Sequence, residues 1–308
     1  MERDTLLTET LKGSDGKKMY DAICKKLLSH KMILAWVMEG CATEYKGSQV
    51  EDIAKKYIEG VPDVRRGNVT TGENIQGISN DIEGAVNYDI RFNSIAPKEG
   101  WYVGLIINME AQNEFYLKYP LVTRGIYYVC RTISDQYGTV FSHSEYGKIN
   151  KVYSIWICRD VPKYRENTIT SYEFTQTNHV GEVKEKKEHY DLVSVVMICL
   201  GQAKDEPSSN VLRLLNTLFS EEVSAEEKID FLEREFGIPR TEEFEEDIRN
   251  MCNFSQGIKQ AGREEGIIET AKNALKAGLS EAVIKQITGL DLTTISQLKS
   301  ELGGNSYV

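Results

Sequence analysis

The stretch from residue 86 to residue 201 constrains this chain most, because its apolar residues recur first with the period of a strand and then with that of a helix. In "VNYDIRF" (86–92) they alternate: Val86, Tyr88, Ile90 and Phe92 fall on one face of a strand, and Asn87, Asp89 and Arg91 on the other. After the turn signal "APKEG", "WYVGLIINMEAQ" (101–112) predicts an antiparallel return. "LVTRGIYYVCRTISDQ" (121–136) reads as a helix. Three more strand candidates follow: "KVYSIWIC" (151–158), "TITSYEF" (168–174) and "YDLVSVVMICLG" (190–201). The expected fold class is α+β, a mixed sheet with helices against it.

The flanks read differently. Residues 1–60 are predicted helical, with apolar spacing of three and four along "DAICKKLLSHKMILAWVMEG" (21–40) and a shorter helix in "QVEDIAKKYIEG" that ends at Gly60. The Gly-, Asn-, Thr- and Asp-rich stretch from there to about residue 84 is expected to be a long loop. "AKDEPSSN" (203–210) is a linker, and everything beyond it is helical in pattern. Glycines 257, 262 and 266 make the segment after Thr241 a candidate for a bend or break. The expected parts are an α+β domain over 1–205, an acidic helical segment over 206–250, and a helical C-terminal module over 251–308. Ser280 as a cap, the turn "TGLD" and a second short helix from Leu292 give that module an end with helix-turn-helix proportions.

Charge sets limits on partners. Lys and Arg number 37 and Asp and Glu 47, so the net charge is −10. Ser220 to Asp247 alone carries twelve acids and three bases, a local −9, and leaves the rest nearly neutral. A polyanion site elsewhere is therefore compatible with the total, but a large basic surface is not. No apolar run has the length to cross a bilayer and the N-terminus lacks a signal-type apolar region, so the expectation is a cytoplasmic protein without membrane contact. Six singly spaced cysteines and four dispersed histidines lack metal-ligand spacing and read as reduced thiols and ordinary histidines.

One short feature points to chemistry. Glu110 and Gln112, at the exit of the 101–112 strand, share a face because residues two apart do so. If that strand pairs with the preceding one across the short turn, Asp89 lies roughly opposite Glu110. Neighbouring carboxylates repel unless a cation lies between them, and hard oxygen donors favour an ion such as Mg²⁺, with Mn²⁺ as a substitute. Such an arrangement suits metal-assisted hydrolysis of a phosphodiester.

"YDIRF", then "LIINMEAQN", "YPLVTRGIYYVCRTIS", "YGKINKVYSIWIC" and "HYDLVSVVMICLG", with "MCNFSQGI" and "REEGI" further on, together resemble the PD-(D/E)XK nuclease family transposases, the group related to recombination-promoting Rpn/YhgA-like nucleases. The resemblance covers most of the chain. It implies a restriction-endonuclease-like core in 1–205, with Asp89 and Glu110 as metal-holding catalytic acids. The pattern expects Lys at the third position, where this chain has Gln112. An amide orients water but brings no positive charge. Arg124, with Tyr128 on its helical face, is a substitute cation for substrate phosphate. Glu39, Glu44 and Glu83 are three candidates for a further acid, and the sequence does not choose among them. The implied function is a divalent-metal-dependent DNA endonuclease linked to mobile DNA, recombination or defence. The alternative is a catalytically inactive DNA- or protein-binding module that keeps the fold. The C-terminal helices are candidates for homo-oligomer contacts.

Overall fold

The computed structural model describes residues 14–62, 89–98, 101–112 and 118–304. Five strands form one mixed sheet in the order β1-β2-β3-β5-β4. They are β1 (Ile90–Lys98), β2 (Trp101–Gln112), β3 (Lys151–Cys158), β4 (Thr168–Glu173) and β5 (Val193–Cys199). β2, β3 and β5 run parallel; β1 and β4 are antiparallel edges. The expected α+β class is present.

β3 is buried along its whole length, as a strand flanked on both sides and covered on both faces should be. β1 starts at Ile90 and runs on through Ala96 and Pro97 to Lys98, past the point where "APKEG" suggested a turn. Proline is tolerated there because β1 is an edge strand, where the missing N–H costs no ladder bond on the outer side. Residues 86–88 and most of the expected loop lie outside the described residues.

Two helices cover the region before the sheet. α1 (Ser14–Leu28) and α2 (Lys31–Cys41) are separate, although the apolar spacing runs through both. The break is at His30, whose backbone is extended (φ −63°, ψ 123°), after Ser29 Oγ donates to the Lys26 carbonyl at 2.6 Å. The stretch expected as one short helix is a single turn, α3 (Val50–Asp52), continued by a π-turn over Ile53–Tyr57. Its exit meets β1: Glu59 N–H donates to the Asn93 carbonyl at 3.0 Å, and Tyr45 Oη and Ser94 Oγ bond at 2.6 Å in the core.

α4 (Leu121–Ser134) lies over β3 and β5. Its buried residues, Leu121, Gly125, Tyr128, Val129 and Thr132, follow the i, i+4, i+7, i+8, i+11 stripe of a half-buried helix. Gly125 permits the close approach: a Cβ there would stand 2.6 Å from Val195 Cγ1 and 3.0 Å from Trp156 Nε1. Trp156, Val195 and Met197 complete the core on this face.

The remaining helices are α5 (Asn210–Phe219), α6 (Ala225–Phe236), α7 (Glu242–Lys276), α8 (Glu281–Thr288) and α9 (Leu292–Gly304). A capping box between Ser224 and Glu227 starts α6, and Gly237 in the left-handed region (φ 61°) stops it. Four acids of the 220–247 stretch are tied to two bases: Arg240 to Asp230 and Glu245 at 2.8 Å each, and Lys26 to Glu243 at 2.8 Å and Asp247 at 2.9 Å. α7 is continuous over 35 residues, glycines included.

The chain divides into two compact units, Ala22–Arg249 and Met1–Asp21 with Asn250–Val308. The first contains the sheet. The second has a small core of its own, Ala271, Ala274, Ile284, Ile295 and Leu298. In it Ser280 caps α8 through Val283 N–H, and Asp291 caps α9 through Thr294 N–H at 2.8 Å. The turn between those two helices is where the sequence suggested it.

Candidate functional site

The pairing register fixes the backbone of the candidate site. The β1–β2 ladder ends with Ile90 against Met109; Asp89 is the residue before that pair in the chain, and Glu110 the residue after it in β2. In the parallel pair, Glu110 is partnered with Trp156 and Gln112 with Cys158. Residues paired in register belong to the same face of a sheet, so the Glu110 and Gln112 positions belong with Trp156 and Cys158. Both of those side chains lie in the core under α4.

Asp89 is about four-fifths buried, with 19% of its side chain exposed, and pairs with Lys25 of α1 at 2.9 Å. Lys25 is the residue that sequence reasoning missed. "ICKKLL" carries no motif, and only the fold brings α1 to the start of β1. The pair means that an ion bound at Asp89 shares the carboxylate with an ammonium or displaces it.

Arg124 lies on the α4 side of the sheet. Its guanidinium carbon stands 5.3 Å from the Trp156 ring centroid and 5.1 Å from that of Tyr128. Nε and Nη2 donate to Tyr128 Oη at 3.0 and 2.6 Å, and Nη1 donates to Tyr119 Oη at 3.3 Å. An arginine laid on two rings and held by two phenols gives up little further side-chain freedom on meeting an anion. Its neighbour Trp156 is the backbone register partner of Glu110.

The three further acids go to different places. Glu39 Oε1 accepts from the Gly47 backbone at 3.4 Å, closing the turn after α2. Glu83 lies outside the described residues. Glu44 accepts from Lys151 Nζ at 3.0 Å and from Tyr153 Oη at 2.6 Å. Lys151 and Tyr153 have the strand parity opposite to Trp156, which sets Glu44 on the other face of the sheet from the Glu110 position.

That second face holds a charge cluster no motif announced. Lys151, 5% exposed, lies 3.0 Å from Glu44 and 2.9 Å from Asp191 Oδ1. The Asp191 contact is ionic rather than a directed hydrogen bond. Lys187 approaches the other Asp191 oxygen at 3.3 Å, and Lys151 Nζ also stands 4.8 Å from the Tyr153 ring centroid. Burial and the Glu44 carboxylate beside it push the Tyr153 phenol well above its ordinary pKa, so it stays a donor.

Mg²⁺ commonly takes one or two protein carboxylates and keeps water in its other positions. Asp89 and Glu110 supply donors of that kind, and the donor chemistry fits. Among the described residues no group of three or more His, Cys, Asp or Glu gathers in a metal-binding arrangement. No helix among them is long and apolar enough to cross a membrane. No protein-family model matches the chain, and comparison with curated proteins and with solved structures finds no match.

Proposed function

We propose that this chain is a divalent-metal-dependent DNA endonuclease. The observation that carries the reading is the end of the β1–β2 ladder: Asp89 and Glu110 are the residues next beyond its Ile90–Met109 pair, and Glu110 is the register partner of Trp156, on whose ring Arg124 is laid. The family resemblance supplies the biological setting: mobile DNA, recombination or defence.

Asp89 and Glu110 would hold Mg²⁺ or Mn²⁺. Such an ion, when bound, polarises the phosphate and makes a water more acidic. Lys25 holds the Asp89 carboxylate in place and offsets charge beside it, which is the contribution Gln112 lacks at the position where lysine is expected. The Gln112 amide, both donor and acceptor, orients the attacking water. Arg124, fixed on its rings, contacts a non-bridging phosphate oxygen as negative charge builds there.

The test is nicking of supercoiled plasmid by the purified full chain. Relaxed or linear product is expected with Mg²⁺ or Mn²⁺ and none with EDTA. Intact plasmid under every metal tried would overturn the reading. It would favour the alternative of a binding module that keeps the fold, for which the Lys25–Asp89 pair speaks: an ammonium already offsets that carboxylate.

A further inference from the structure

Arg124 is part of a larger surface on α4. Tyr119, whose phenol accepts from Arg124, is 47% exposed, and so is Tyr127, about one helical turn beyond Arg124. The Tyr127 ring lies 6.5 Å from that of buried Tyr128, which continues to Trp156 at 5.5 Å. One half-exposed ring therefore touches a guanidinium that is itself laid on two buried rings, and a second half-exposed ring lies beside one of those. Lys118, exposed, precedes Tyr119 in the chain.

We infer that this surface binds unpaired DNA, with bases stacked on Tyr119 and Tyr127 and a phosphate on Arg124. The inference rests on the endonuclease reading and names the form of its substrate.

Charge favours unpaired DNA over duplex. A protein that holds duplex chiefly through phosphates needs many cations along the contact. Here α4 and the residues before it offer Lys118, Arg124 and Arg131, in a chain of net charge −10. Stacking needs no such excess. Every base has a π-face, and a strand whose bases are free can lay them on exposed rings, whereas duplex bases are already stacked on each other. The tyrosines also suit the role energetically, since two side-chain torsions order a large flat area.

Fluorescence anisotropy on the full chain in EDTA, where no cleavage is expected, separates binding from chemistry. The probes are a labelled oligo(dT) and a labelled duplex of equal nucleotide number. Oligo(dT) is expected to bind at least about fivefold more tightly than duplex. Tyr119→Ala and Tyr127→Ala should each weaken oligo(dT) binding about fivefold or more. Tyr127→Phe, which keeps the ring, should bind as the parent does. Unchanged far-UV circular dichroism establishes that the variants fold.

Absent oligo(dT) binding, equal or tighter duplex binding, or alanine variants with undiminished affinity would overturn the inference. The two readings fail separately. Metal-dependent nicking without strand preference removes this inference alone, while tyrosine-dependent oligo(dT) binding without cleavage by any metal removes the endonuclease alone.

Discussion

Replacing Lys151 with alanine is expected to cost about 3–5 kcal/mol of stability, the range for removing one partner of a buried ion pair. The reason is asymmetric. Lys151 is 5% exposed, and its loss leaves the Glu44 and Asp191 carboxylates, 19% and 11% exposed, facing the space it filled. Repulsion then adds to the cost of desolvation. Tyr153 still donates to Glu44, while Asp191 keeps the exposed Lys187. A fall in melting temperature on the order of 10 °C is the expected readout for a unit of this size. Combining Lys151→Met with Glu44→Gln and Asp191→Asn should recover much of the loss, because no charge then remains to be paired. A Lys151→Ala loss under about 1 kcal/mol, the scale of a surface salt bridge, would show that the cluster is solvated in practice.

The other large effect is catalytic. Asp89→Ala is expected to lower plasmid cleavage by about 100-fold or more, since a metal ligand contributes several kcal/mol of charge stabilisation to the reaction. Asp89→Asn keeps the shape, loses the charge, and should lose as much. Stability is expected to fall less than for Lys151→Ala, because Lys25 keeps 21% of its side chain exposed where Lys151 keeps 5%, and a single carboxylate is removed rather than two being left unpaired. That contrast with Lys151→Ala separates a functional carboxylate from a structural one. Cleavage by Asp89→Ala equal to that of the parent would remove Asp89 from the chemistry.

Much of the fold was legible because local pattern and tertiary demand agree. β3 was read to the residue, its apolar run being what a strand buried on both faces requires. Ser280 and the turn "TGLD" announced where α8 starts and where it gives way to α9, and Gly289 and Asp291 within that turn supply the caps. Where the reading went astray, long-range packing had overruled local preference. His30 turns extended between α1 and α2 without a glycine or proline to signal it. α7 runs through Gly257, Gly262 and Gly266, each a penalty of only about 1 kcal/mol that a long hydrogen-bonded helix absorbs.

The candidate site was half legible for the same reason. Strand periodicity and a short turn suffice to pair the two strands that carry Asp89 and Glu110 at their ends, and a helical period sets Tyr128 beneath Arg124. Periodicity says nothing about contacts between elements far apart in sequence. Lys25 beside Asp89, Trp156 beneath Arg124, and Glu44 turned toward Lys151 on the other face of the sheet all belong to that class.

The most direct test of the shared-cation claim is an anomalous difference map from crystals of the full chain grown with Mn²⁺. The account predicts a peak between the carboxylates of Asp89 and Glu110, absent from crystals of Asp89→Ala. An intact Lys25–Asp89 pair with no peak at those carboxylates, under Mn²⁺ concentrations that support cleavage, would contradict it.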